Sequence, residues 1–242
     1  MVSDKTSGIV LQHFRYSDTS LIVKIFTEQF GLQSYLVKGA YQKYSKFRPA
    51  LFMPMTIVEF VQASKTGREL HFIKELSVVS HFHQLHQSVK KNAIVMFMSE
   101  LFSRTIQEEE TNKPLFDFLK NSLLWLDLRP SGFTSFPLYL MVELSRYLGF
   151  YPKKNTYQTG FYFDSMAGLF RQNAPEHPYY LNPKLSSHLH QLLETSLESS
   201  GNISWSNTER RELLQEMIDY YKLHIPGFHG LKSHEILRTV LE

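Results

Sequence analysis

The chain has no cysteine. That excludes disulfides, thiol nucleophiles and cysteine-ligated zinc, and it suits a reducing cytoplasm. Long apolar runs are missing as well: nothing approaches the roughly 18–20 residues that span a bilayer, so no membrane association is expected. The opening Met-Val-Ser-Asp-Lys-Thr lacks the apolar centre of a secretory leader. No glycine-rich phosphate loop, nucleophile elbow or paired-histidine metalloprotease motif occurs. No acid, base and nucleophile stand out together, so neither an enzyme nor a cofactor is expected.

Acid is also absent from one long window. Between Glu28 and Glu59 there is no acidic residue, while Lys38, Lys43, Lys46 and Arg48 all fall inside it. Lys38 to Arg48 reads KGAYQKYSKFR, with Tyr41, Tyr44 and Phe47 interleaved among the cations. Such a loop can hold a phosphate backbone electrostatically and stack bases on its rings. The same residues also suit a solvated loop, or a loop that meets an acidic protein.

What is present describes a globular protein of 242 residues, 43% hydrophobic and 20% charged, long enough for two domains. The formal net charge is only +3, but it is unevenly spread. Residues 1–80 hold 10 Lys+Arg against 6 Asp+Glu (net +4), and residues 81–242 hold 16 against 17 (net −1). Asymmetry of this kind points to a polyanion-binding module joined to a body with another task.

The first 80 residues are patterned as antiparallel β. Runs at Gly8–Phe14, Ser20–Thr27, Leu32–Val37, Met55–Gln62 and Leu70–Leu76 are separated by turn-forming residues, with a hairpin turn expected at 64–68. Five short strands with the longest break after the third fit an OB-type barrel, among other small barrels. From about residue 81 the apolar period becomes helical. Helices are expected over 90–110, 114–128, 135–148, 183–199, 208–224 and 233–241. Between them, 151–181 is irregular, with a small hairpin expected from Gly160–Phe163 and Leu169–Gln172. The expected fold class is α+β: an N-terminal five-stranded OB-type barrel over 1–80, then a helical domain over 81–242 with that insertion.

His81, His83 and His86 lie close together, but no neighbouring carboxylate completes a zinc set, and a structural role is expected for them. His188 and His190 face apart on a presumed helix. Glu108, Glu109 and Glu110 read as a solvated helix end. Arg104, Lys120, Arg129 and Arg146 sit on helices crowded with Leu, Phe and Met. They are either ordinary snorkelling cations or the basic rim of a groove for a short acidic peptide with a hydrophobic end.

Several stretches in order resemble the RecO family of DNA repair and recombination mediators. They are Gly8-Ile9-Val10-Leu11, Tyr16 to Val23, Phe26-Thr27, Gly31, and Lys38-Gly39-Ala40 followed by Lys43, Ser45, Lys46 and Arg48. Leu144–Pro152 is similar to that family's third-helix exit, and Leu223–Leu237 to its C-terminal end in the Bacteroidetes lineage. The resemblance implies an OB barrel followed by a helical domain, and binding of single- and double-stranded DNA with annealing of complementary strands. It implies docking on the acidic tail of single-strand-binding protein, cooperation with RecR in loading RecA, no enzymatic turnover, and a cytoplasmic, nucleoid-associated protein. DNA contact carries over to Lys38, Lys43, Lys46 and Arg48. Arg15 and Lys24 are second choices, and Tyr41, Tyr44 and Phe47 are added on stacking grounds. Many RecO proteins carry a four-cysteine zinc module where this chain has 151–181. Here Phe161, Tyr162, Phe163, Leu169 and Phe170 supply apolar bulk instead, so zinc dependence is not expected.

Overall fold

Alternating apolar and polar residues form strands because successive side chains face opposite sides of a sheet. In the computed structural model, which describes residues 3–63, 70–79, 82, 84–85, 87–106 and 110–241, five such strands form. They are β1 (Ser3–Arg15), β2 (Leu21–Thr27), β3 (Gly31–Val37), β4 (Ile57–Ala63) and β5 (Leu70–Val78). They close into a barrel in the order β1-β2-β3-β5-β4, with β1 also pairing β4. Every pairing is antiparallel except β3 with β5. This is the OB-type barrel.

Closure depends on β1, whose Gly8 and Ile9 register on β2 and β4 at once. A Cβ at Gly8 would lie 2.4 Å from Ile25 Cγ2 and 3.0 Å from Phe60 Cε1, so the strand can turn this corner only without a side chain. The interior is filled by Val10, Leu21, Val23, Ile25, Tyr35 and Phe60, among others. Tyr35 donates to Gln62 Oε1 at 2.7 Å inside this core, and burial pushes its phenol well above the ordinary range. β1 begins earlier than the sequence predicts. Its Ser-Asp-Lys-Thr-Ser start has no apolar alternation and is a strand because β4 supplies backbone partners.

Not all apolar residues of β1 and β2 face inward. Ile9, Leu11 and Phe26 are buried although they stand outside the barrel's interior cluster, and two helices cover them. Ser99 of α1 (Val89–Thr105) donates to the Leu11 carbonyl at 2.6 Å, and Phe116 of α2 (Lys113–Leu128) meets Phe26 with ring centroids 6.1 Å apart. The first compact unit therefore runs to Asp127, whereas the composition shift suggests a boundary at 80. Asp127 Oδ1 accepts from the amides of Gln84 and Leu85, and the buried Lys91 donates to its carbonyl and to Gln84 Oε1. Burial lowers the Lys91 pKa, and Asp127 partly restores it. The sequence spacing carries α1 on to 110, whereas the helix ends at Thr105 and Ile106 caps it in extended geometry.

The second unit, 128–242, contains α3 (Phe136–Tyr147), α4 (Pro183–Leu193), α5 (Asn207–His224) and α6 (Ser233–Val240). Tyr221 of α5 donates to the Met141 carbonyl of α3 at 2.7 Å, tying the two helices. A reciprocal Ser206–Glu209 capping box starts α5, one residue before the expected start at 208. α4 ends at Leu193 rather than 199, because Thr195, Ser196 and Ser199 bond back to nearby main chain and to each other.

The insertion is a three-stranded sheet in the order β7-β6-β8: β6 (Tyr162–Asp164), β7 (Leu169–Arg171) and β8 (Tyr180–Leu181). The expected hairpin is its first half. Phe163 and Phe170 are buried with centroids 5.0 Å apart, and Tyr220 of α5 closes on Phe163 at 5.6 Å. The buried Asp164 carboxylate accepts from the amides of Met166 and Ala167 and pairs with Arg171 Nε at 2.8 Å. His177 Nε2 lies 3.3 Å from it. These residues do not fit a zinc ion: one histidine and one carboxylate already paired with arginine fall short of a tetrahedral set. Among the described residues, no group of three potential ligands exists.

Candidate nucleic-acid interface

The basic loop is held rigidly at both ends, which is what lets it present its cations. It leaves β3 through Gly39, whose φ of +67° suits glycine, while the next residue, Ala40, is buried in the barrel core. Turns follow, with Gln42 N donating to the Gly39 carbonyl at 3.0 Å and Ser45 N to the Gln42 carbonyl at 3.1 Å. A short 3-10 helix, Pro49–Phe52, then drives the fully buried Phe52 into the core. Tyr41 N also donates to the Thr19 carbonyl at 3.3 Å, joining the loop to the β1–β2 turn.

Lys38, Lys43, Lys46 and Arg48 are all exposed. Among the described residues none of them forms an ion pair, so four charges face outward without a counter-charge. Their rings are nearby instead. Lys43 Nζ lies 5.6 Å from the Tyr44 centroid, Lys46 Nζ 5.3 Å from Phe47, and Arg15 Cζ 5.3 Å from Tyr41. Arg15 also pairs with Asp18 at 3.3 Å, so its charge is partly spent. Lys24 lies mid-strand on the outer face, between Gln12 of β1 and Ser34 of β3.

The three expected stacking rings divide. Tyr44 is 88% exposed and Tyr41 43%, so both offer a face. Phe47 is half-buried and packs against the barrel core. It anchors the loop and is withdrawn from the stacking set.

The structure adds residues that loop composition does not reveal. Lys38 Nζ lies 5.6 Å from the ring of Phe72 on β5, a residue far away in sequence. Phe14 on β1 is 45% exposed on the same outer face. Their signal was a large aromatic at an outward position of an alternating strand, and it needs the barrel register to be seen.

The four helical cations are distributed over both units. Arg104 pairs with Glu100 at 2.8 Å, and Lys120 sits half-buried on α2. Arg129 donates to the Glu198 carbonyl at 2.6 Å. Arg146 pairs with Glu143 at 3.1 Å and lies 3.9 Å over the Tyr151 ring. Three of the four are thus engaged by neighbours in their own unit. A different, shallow cleft in the second unit is lined by Pro137, Leu138, Leu214 and Leu237 together with Arg210, Arg211 and Arg238.

Among the described residues the histidines gather into no group that could hold a metal. His188 meets Trp205 at a tilt with centroids 4.7 Å apart, and His190 stacks on Tyr157 at 3.9 Å. His81, His83 and His86 lie outside the described residues, as do Glu108, Glu109 and the turn at 64–68. No helix among the described residues is long and apolar enough to cross a membrane.

Residues 1–82 match the family model described as recombination protein O N terminal, and residues 86–235 match recombination protein O C terminal. The DNA repair protein RecO of Bacteroides fragilis is 36% identical over 239 residues, covering 98% of this chain and 99% of that protein. The RecO proteins of Phocaeicola vulgatus and Flavobacterium psychrophilum are each 36% identical, over 98% of both chains. With an OB-type barrel carrying an acid-free basic loop and relatives matched end to end, the chain belongs to the RecO family of DNA repair proteins.

Proposed function

We propose that this DNA repair protein works as a recombination mediator without catalytic turnover. It holds DNA, single- or double-stranded, along the outer face of the barrel and anneals complementary strands. With RecR, it helps RecA load onto single strands covered by single-strand-binding protein. The observation that supports this reading is the anchored loop Lys38–Arg48, whose four cations have no ion-pair partner among the described residues. Neutralising phosphate charge is what two strands need before they can approach each other, and an unpaired cation does so at no cost of breaking an existing pair. Complementary labelled oligonucleotides mixed with the protein should therefore join faster than alone, and should stay intact after long incubation with magnesium. No acceleration, or cleavage, would contradict the reading.

The barrel serves as the DNA module and the helices as the protein-docking body. The tail of single-strand-binding protein, acidic with a hydrophobic end, suits the cleft lined by Arg210, Arg211 and Arg238 better than the four scattered helical cations. Arg210 and Arg211 are already oriented by main-chain carbonyls, Arg210 by Trp205 and Arg211 by Arg238. Arg238 is exposed at the end of α6, free to meet a carboxylate. A charged hydrogen bond is worth about 1.5–3 kcal/mol. Arg238→Glu is therefore expected to weaken binding of a labelled tail peptide at least about tenfold, read by fluorescence anisotropy.

A further inference from the structure

The barrel's outer face carries a row of apolar side chains that the loop alone does not explain. Register places Phe14 of β1 beside Ile22 of β2, Ile22 beside Leu36 of β3, and Leu36 beside Phe72 of β5. Val23, Tyr35 and Ile73, their chain neighbours, point into the core, so the row points out. Ile22 is 8% exposed and forms a floor, while Phe14 at its edge is 45% exposed. With strands about 4.8 Å apart, Phe14 and Phe72 stand about 14 Å from each other across the sheet.

Cations flank the row on both sides. Lys24, beside Gln12 and Ser34, lies one step along the strands in one direction. Lys38 over the Phe72 ring, and then the loop with Tyr41 and Tyr44, lie in the other. Acid is sparse here: Asp18 is engaged by Arg15, and Glu75 sits on β5 beyond Lys74.

We infer that this face selects single-stranded over duplex DNA, with unpaired bases stacked on Phe14 and Phe72 and the phosphates on Lys24 and Lys38. This rests on the DNA-binding reading above. The chemistry separates the two forms of DNA. A single strand can turn its base faces onto the rings while its backbone follows the cations on the flanks. A duplex keeps its bases stacked on each other, so it can use only the cations, and the outward-facing rings contribute nothing.

The test titrates the full chain, by anisotropy, into labelled oligothymidylate, an abasic oligomer with the same backbone, and a duplex of equal length. Oligothymidylate should bind at least about tenfold more tightly than the abasic oligomer, since stacking is lost with the base. Phe14→Ala, at an exposed position, and Phe72→Leu, which keeps the half-buried site filled, should each lower the ratio of single-strand to duplex affinity about tenfold. The salt slope, which counts phosphates, should stay as it is. Equal binding of oligothymidylate and abasic oligomer overturns the stacking while leaving the DNA-binding reading in place. No binding of any of the three overturns both.

Discussion

Replacing Lys38, Lys43, Lys46 and Arg48 with alanine in one variant is expected to flatten the log–log salt dependence of single-strand affinity by about 3. Each phosphate contact releases roughly 0.7 of a counterion from a single strand, and four contacts disappear together. Affinity at low salt should fall on the order of 100-fold. The variant should fold normally. All four side chains are exposed, and removing them leaves no carboxylate orphaned, because none is paired with them among the described residues. Exposed substitutions of this kind cost within about 0.5 kcal/mol each. Gly39, Ala40, Phe47 and Phe52 remain to hold the loop. A variant with unchanged slope and affinity would take DNA contact away from the loop.

Phe163→Ala is expected to destabilise the second unit by about 3–5 kcal/mol, the usual cost of deleting a buried phenyl ring. Phe163 is 1% exposed, packed between Phe170 and Tyr220, and its amide donates to the buried Ser186 hydroxyl at 2.8 Å. The ring joins the small sheet to α5 by packing alone, with no group of three potential metal ligands among the described residues. A chelator should therefore leave the thermal midpoint of the wild-type protein unchanged. Calorimetry with and without chelator, beside the variant, checks both halves. A midpoint that drops on chelation, or a neutral Phe163→Ala, would contradict this account of the insertion.

How much of this was legible beforehand depends on the range of the interactions involved. Local patterns carried the strands and helices, because apolar periodicity is read within a few residues: the helix expected over 208–224 is α5, Asn207–His224. The composition of the loop was legible for the same reason, since four cations, three rings and the absence of acid are all contiguous. Position across the sheet was not. That Phe14 and Phe72 turn outward follows from barrel register, which pairs residues far apart in the chain, and Phe47 turns inward because its loop packs it on the core those strands build. The helical cover of the barrel was hidden in the same way. Ile9, Leu11 and Phe26 read as ordinary core residues, and only the closed barrel shows that they need α1 and α2 as a cover. The arginine cleft draws on α3, α5 and α6, so no single stretch of sequence announces it.

The central claim is that the chain acts on DNA strands already covered by another protein. It is tested most directly by annealing complementary oligonucleotides that have both been coated with single-strand-binding protein. The account predicts that the wild-type protein accelerates joining of the coated strands. Acceleration confined to bare strands, or none at all, would contradict it.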